Sequence, residues 1–100
     1  MAEGGALTVE KEWPETVDEA VRVVLDALSE DEQTQLAALP EGRLFELHFG
    51  LGMWIRNHLG LWSGNRRLLE ASGERHPDDA SMVITVAVWR RLQEDVPKVH

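Results

Sequence analysis

The chain has 100 residues, 43% of them hydrophobic, and it contains no cysteine. This length builds one domain with a small core and leaves no room for a second domain. The lack of cysteine excludes disulfide bonds, thiolate metal sites and a cysteine nucleophile. We therefore expect a fold that depends on side-chain packing alone.

The net charge of −8 is unevenly distributed: residues 1–46 carry 12 acidic and three basic side chains (−9), whereas residues 47–100 carry six and seven (+1). Proteins that bind nucleic acids use clustered Lys and Arg to contact the phosphate backbone. Because this chain is acidic and poor in lysine, we expect no nucleic-acid partner. A basic protein partner would fit the acidic half, although the acids can equally be a solvated surface. No apolar run has the roughly 18 residues of a membrane span, and the N-terminus lacks a basic-then-apolar leader, so we expect a cytoplasmic protein that binds no membrane.

Residues 1–13 carry Gly4-Gly5 and no hydrophobic periodicity, which predicts a flexible arm. Trp13-Pro14 can attach the end of this arm to the domain. Thr16 and Glu19 form a capping-box pattern that predicts the start of a first helix. Ser29 and Glu32 repeat that pattern at the start of a second, shorter helix that ends before Pro40. The first helix should bury the face formed by Val17, Ala20, Val21, Val24, Leu25 and Leu28.

The third predicted helix, from about Arg43 to Leu59, is apolar on nearly all sides, which predicts that it lies at the centre of the fold. With about 3.6 residues per turn, Phe45, Phe49, Gly52 and Arg56 would share one face of this helix. A glycine, Gly60, follows at the position that often takes the left-handed cap.

A short helix over residues 65–72 should end at Gly73, and a last helix should begin at His76-Pro77 and continue to about Gln93. The β-branched residues near Thr85 leave a strand as the alternative for part of that last segment. We predict an all-α, compact orthogonal bundle of about five helices with a central third helix. The domain would span residues 14–95, followed by a tail at 96–100.

Arg56 is the residue with the strongest chemical implication, because an unpaired buried charge costs several kcal/mol. Its expected partner is Asp78 or Asp79, in the first turn of the last helix, and the alternative is an anion-binding or catalytic role. Gly50 and Gly52 each cost about 1 kcal/mol in a helix, which predicts close approach of the last helix or of a ligand.

A second group of polar side chains surrounds the turn after the third helix. Capping by Asn65 and His76 and burial of Trp62 would explain most of these residues, but the same set suits binding of a peptide, a base or a small polar ligand. The four His residues show no metal-binding spacing, and we expect no cofactor and no metal. The candidate binding residues are Arg56, Asn57, His58, Trp62, Asn65, His76, Asp78 and Asp79.

The chain resembles an uncharacterised family of small bacterial, all-helical proteins with an HFxLGxxIRNxxGLWxxNxxLL…HPDDAS core. The resemblance is carried by Phe49-Gly50-Leu51-Gly52, Ile55-Arg56-Asn57, Gly60-Leu61-Trp62, Gly64-Asn65 and the segment from His76 to Ser81, and it spans about residues 16–92. It implies a common fold and no assigned activity, so no residue role follows from it.

We expect a non-enzymatic module that binds a protein or a small ligand near Gly60–Asn65, with an immunity- or antitoxin-like inhibitor as a specific form. The first alternative is a small enzyme, hydrolase or lyase in type, that uses Arg56 with His76 and Asp79. The second is a homo-oligomeric scaffold with Trp89 or Trp13 in its interface. The oligomeric state does not follow from the sequence.

Overall fold

A computed structural model describes residues 13–95, so the predicted arm before Trp13 and the predicted tail at 96–100 lie outside the described residues. A 3₁₀-helix, Glu41–Leu47, and a π-helical turn, His48–Gly52, separate the second α-helix from the third. No strand occurs within residues 13–95, which confirms the prediction of an all-α bundle of about five helices. The α-helices are α1 (Val17–Ala27), α2 (Glu30–Ala37), α3 (Met53–His58), α4 (Arg66–Ser72) and α5 (Pro77–Asp95).

The capping box predicted for the second helix forms completely, and the one predicted for the first helix forms only in part. The Ser29 hydroxyl accepts from the Glu32 amide at 3.1 Å, and the Glu32 carboxylate accepts from the Ser29 amide at 2.8 Å, as in a complete capping box. At α1 the Thr16 hydroxyl accepts from the Glu19 amide at 3.1 Å, but the Glu19 carboxylate accepts from Glu15, one residue before the cap. These bonds satisfy amides that have no partner within the helix.

The single α-helix predicted from Arg43 to Leu59 is wrong in its first half, because only α3 has α-helical geometry. A 3₁₀-helix bonds residues three apart and a π-helix bonds residues five apart, so side chains aligned by the α-helical period diverge. Phe45 and Phe49 are accordingly 65% and 76% exposed, whereas Arg56 is 4% exposed. The predicted common face of Phe45, Phe49 and Arg56 therefore does not exist.

The last helix, α5, contacts every other helical element of the described residues. It shares the centre of the fold with residues 43–59, the segment that was predicted as the third helix. Its inner face buries Ala80, Ile84 and Val88 completely. The 3₁₀-helix contributes Leu44 to the same core, α3 contributes Ile55, and the turn after α3 contributes Leu59 and Leu61.

Side chains of α5 also cap the end of α2. The Trp89 indole donates to the Leu39 carbonyl at 2.8 Å, and the Gln93 amide donates to the Ala37 carbonyl at 2.9 Å. Trp89 is half-buried, and its indole N–H is bonded within the domain.

The chain segment before α1 is held against the turn after α3. Gly60 has φ +77°, as predicted for a left-handed cap, and the Leu61 amide donates back to the Arg56 carbonyl at 3.2 Å. The indole of Trp13 covers Gly60 so closely that a Cβ there would lie 2.3 Å from ring atom Cε2. The Pro14 carbonyl accepts from the Asn65 side chain at 2.9 Å, so Trp13-Pro14 makes the attachment that the sequence predicts.

Candidate functional site

The guanidinium of Arg56 is buried between the π-helical turn and the first turn of α5. Its Nε lies 3.3 Å from Oδ1 of Asp78, its Nη1 donates to the Ser81 hydroxyl at 2.9 Å, and its Nη2 donates to the His48 carbonyl at 3.0 Å. The predicted inward-facing ion pair is confirmed, with Asp78 as the partner. Each of the three guanidinium nitrogens therefore has a partner within the protein, and these contacts use three of the five N–H groups of the side chain.

Ser81 completes this network, and the sequence analysis did not identify it. Its hydroxyl accepts from Arg56 and donates to the Asp78 carbonyl at 2.9 Å, so it joins the cation to the helix that carries the anion. The side chain is fully buried. The available signal was its position: Ser81 falls on the same helical stripe as Ile84 and Val88, where a polar residue requires a buried partner.

The position of Gly52 favours a glycine because the arginine side chain lies against it. A Cβ on Gly52 would be 3.1 Å from Nη1 of Arg56, 3.2 Å from the Leu47 carbonyl oxygen and 3.6 Å from the Ser81 hydroxyl. The closest neighbours therefore belong to Arg56 and Leu47, and the last helix reaches Gly52 only in ordinary contact, through the Ser81 side chain. At Gly50 a Cβ would meet nothing within 4 Å, so no such contact explains that glycine.

Asn65 is a structural residue with its hydrogen-bonding groups occupied. Its Oδ1 accepts from the Leu68 amide at 3.2 Å, as expected of a helix cap, and its Nδ2 donates to the carbonyls of Pro14 and Leu59 at 2.9 and 2.8 Å. The side chain is buried. Asn65 thus joins α4 to the segment before α1, and it presents no free polar group to a ligand.

Trp62 lies on the surface, in contrast to the expected buried ring. It is 55% exposed, and its ring meets the edge of the His76 ring at a centroid distance of 5.7 Å. His76 accepts from the Asp78 amide through Nδ1 at 3.1 Å, which confirms its predicted capping role, and the same atom is 3.9 Å from Oδ2 of Asp78. Trp62, His76, Asp78 and Arg56 therefore form a continuous path from the surface to the interior.

The other three predicted site residues lie elsewhere. His58 stacks on Trp54 with a centroid distance of 4.4 Å, on the side of α3 that borders a groove. Asp79 lines a different groove between α1 and α5, with Asp18 among its neighbours. Asn57 is exposed. The structure brings together half of the predicted candidates, buries Asn65 in its own hydrogen-bond network and places the other three on other surfaces.

Four large apolar side chains between residues 45 and 62 are exposed, and we call them the exposed apolar set: Phe45 (65%), Phe49 (76%), Met53 (41%) and Trp62 (55%). The Phe49 ring meets the His48 ring edge-on at 4.7 Å. Sequence reasoning placed both Phe rings beside the buried arginine because it assumed a continuous α-helix. The irregular segment therefore exposes the two Phe rings of this set.

Two further observations concern metal binding and membrane spans in the described residues. No group of three or more His, Asp or Glu side chains within residues 13–95 is placed to hold a metal ion. Over the same residues, no helix has both the length and the apolar character needed to cross a bilayer.

The model of the family DUF6794, a domain of unknown function, matches residues 13–92. The chain belongs to this family. The DUF6794 match begins at Trp13, which covers Gly60, and ends at Leu92, which closes the core near the end of α5. It includes the whole network around Arg56, Ser81 and Asp78. Neither the curated proteins nor the solved structures that were searched contain a match to the chain.

Proposed function

We propose that the chain is a non-enzymatic protein-binding module that contacts its partner through the exposed apolar set. The observation that carries the proposal is the exposure of three aromatic rings and a methionine, whereas the other large apolar side chains of the described residues, apart from Val23, are buried or partly buried. Burying one such ring is worth about 1.5–3 kcal/mol, and aromatic residues and Met are enriched in protein interfaces. The setting that we propose, from the resemblance, is the cytoplasm of a bacterium.

The occupied polar groups favour a protein partner over a small polar ligand. Arg56 and Asn65 were two of the predicted binding residues, but Arg56 is buried with a partner at each guanidinium nitrogen, and the Asn65 amide nitrogen donates to two backbone carbonyls. A protein surface requires fewer directed polar groups, because a few apolar anchors can supply most of the affinity. Trp62, beside His76, is the member of the exposed apolar set that lies within the predicted Gly60–Asn65 turn.

The enzyme alternative has less geometric support. It requires His76 and Asp79 to transfer protons near a substrate held by Arg56. His76 instead contacts Asp78 and Trp62, and Asp79 lines the groove between α1 and α5. Arg56 is 4% exposed, so an anion would reach it only after displacement of Asp78 or Ser81.

The test compares the wild-type chain with the double variant Phe49→Ser/Trp62→Ser and with Val23→Ser as a matched control. Val23 is 38% exposed on α1 and lies outside the exposed apolar set. Each protein is immobilised, and proteins captured from cells of the source organism are quantified by mass spectrometry. We expect a partner that the wild type and Val23→Ser retain and that the double variant loses, with unchanged circular dichroism.

Capture of the same proteins by all three forms would refute the proposal. Sedimentation velocity over a concentration series separates the scaffold alternative: self-association that disappears in the double variant would make a second copy the partner. Trp13 and Trp89, the residues expected in such an interface, are partly buried and contact Gly60 and the Leu39 carbonyl within the domain.

A further inference from the structure

A groove of about 530 Å³ lies between α1, α2 and residues 47–54, and we call it the α1–α2 groove. Its volume falls within the roughly 300–1,000 Å³ of typical binding sites. Its lining is mainly apolar and includes Val24, Leu28, Leu36, Leu39, Leu51 and Trp54. None of these residues belongs to the exposed apolar set, so this surface is separate from the one proposed above.

Local contacts hold the walls of the groove in place. The Gln33 amide donates to the carbonyls of Leu25 and Leu28 at 3.0 and 3.3 Å, which ties α2 to the end of α1. Trp54 is stacked on His58 in nearly parallel orientation, with an interplanar angle of 13°. The groove is therefore formed before any ligand binds, which reduces the entropic cost of association.

Gly50 gains an explanation from this surface. It lines the groove, and a Cβ placed on it would meet no atom within 4 Å. The missing side chain leaves space at the groove wall, so an inserted side chain could approach the backbone there.

The one charged residue that lines the groove is acidic. Glu32 lines it, and Asp31 is the adjacent residue in the first turn of α2. No Lys or Arg is among the lining residues. Glu32 accepts a hydrogen bond from the Ser29 amide but forms no ion pair within the described residues, and Asp31 is exposed. A cationic partner would meet carboxylates that are not already neutralised.

We propose that the α1–α2 groove binds an amphipathic helix of a partner protein, with aliphatic side chains in the groove and Lys or Arg beside Asp31 and Glu32. Helix-in-groove recognition combines these two features: an apolar stripe supplies affinity, and flanking charges supply orientation and specificity. The proposed partner segment is thus a basic helix with one apolar face.

The probe is a fluorescein-labelled synthetic helix of about 14 residues, roughly 21 Å long, with Leu at i, i+3, i+4 and i+7 spacing and Lys elsewhere. A second peptide replaces every Lys with Glu and keeps the Leu stripe. Fluorescence anisotropy measures binding to the full chain at two salt concentrations. We expect the Lys peptide to bind at least about tenfold more tightly than the Glu peptide and to weaken as salt rises.

Two variants locate the binding site. Ala27→Trp fills the groove from an exposed lining position and should weaken the Lys peptide at least about tenfold. Asp31→Asn/Glu32→Gln removes both charges and should weaken it about three- to tenfold, while the glutamine can still cap Ser29. The matched control Asp18→Asn/Glu19→Gln makes the same charge change in the first turn of α1 and should bind like the wild type.

Equal weakening by the control pair would overturn the proposal, because it would mean general charge attraction. Undiminished binding by Ala27→Trp, or no binding by the wild type, would also overturn it. Self-association of the wild type that Ala27→Trp abolishes would make a second copy the occupant and overturn the proposal as well. Phe49→Ser/Trp62→Ser should bind the Lys peptide normally, so failure here is distinct from failure of the proposed function.

Discussion

Replacing Arg56 with Met tests whether the buried cation stabilises the fold or serves to bind a ligand. Met keeps much of the aliphatic length but leaves the Ser81 hydroxyl and the His48 carbonyl without their donor. Each such loss costs about 1–1.5 kcal/mol, and the space left by the guanidinium adds to it, so we expect about 2–4 kcal/mol of destabilisation. A domain of this size has about 5–15 kcal/mol in total, so the variant should fold and melt roughly 10–20 °C lower.

The reciprocal variant Asp78→Ala removes the counter-ion of Arg56, whose side chain is only 5% exposed. Stranding a buried charge costs about 3–5 kcal/mol, but Asp78 is 41% exposed and water can partly replace it, so we expect about 2–3 kcal/mol. The Arg56→Met/Asp78→Ala double variant should lose about 1–2 kcal/mol less than the sum of the single losses. Asp79→Ala, the neighbouring acid in the same helix turn, is the matched control and should cost no more than about 1 kcal/mol.

Urea unfolding followed by circular dichroism gives all of these free energies on one scale. If Arg56→Met stays within about 0.5 kcal/mol of the wild type, or if the cycle is additive within about 0.5 kcal/mol, the ion pair does not stabilise the fold. A ligand-binding role for Arg56 would then gain support over a structural one.

Two pairs of glycines give further predictions, all measurable by thermal or urea unfolding. Gly60→Ala should lower the free energy of unfolding by about 3 kcal/mol, because it combines a φ of +77° with displacement of the Trp13 ring. Gly73→Ala, at φ +82° in open space, should lower it by about 1 kcal/mol. Equal losses at the two sites would show that the Trp13 contact contributes nothing. Gly52→Ala should destabilise by about 1–2 kcal/mol through contact with the arginine side chain, and Gly50→Ala, with free space around it, should stabilise by about 0.4–1 kcal/mol. The opposite order would contradict the packing described at the π-helical turn.

The parts of this fold that sequence predicted are those that depend on local chemistry. The Ser29–Glu32 capping box, the left-handed Gly60 and the Asn65 cap each require only a few neighbouring residues with known hydrogen-bonding preferences. The Arg56–Asp78 pair was also predictable, because a buried charge demands a counter-ion and few carboxylates were placed to supply one. Ser81 escaped notice because a serine among apolar residues carries no charge to reveal its partner.

The irregular segment was not predictable from periodicity, and the surfaces proposed for binding depend on it. Residues 41–52 have apolar side chains at spacings compatible with an α-helix, so only the packed fold reveals that the backbone changes to 3₁₀ and then to π geometry. That change turns Phe45 and Phe49 outward, and it also brings the His48 carbonyl to Arg56. The two effects belong together: the arginine holds the widened turn from inside, and the same turn places aromatic rings on the outside. A variant that weakens the Arg56 network without unfolding the domain should therefore also disturb the exposed apolar set, which links the stability of the core to the proposed partner surface.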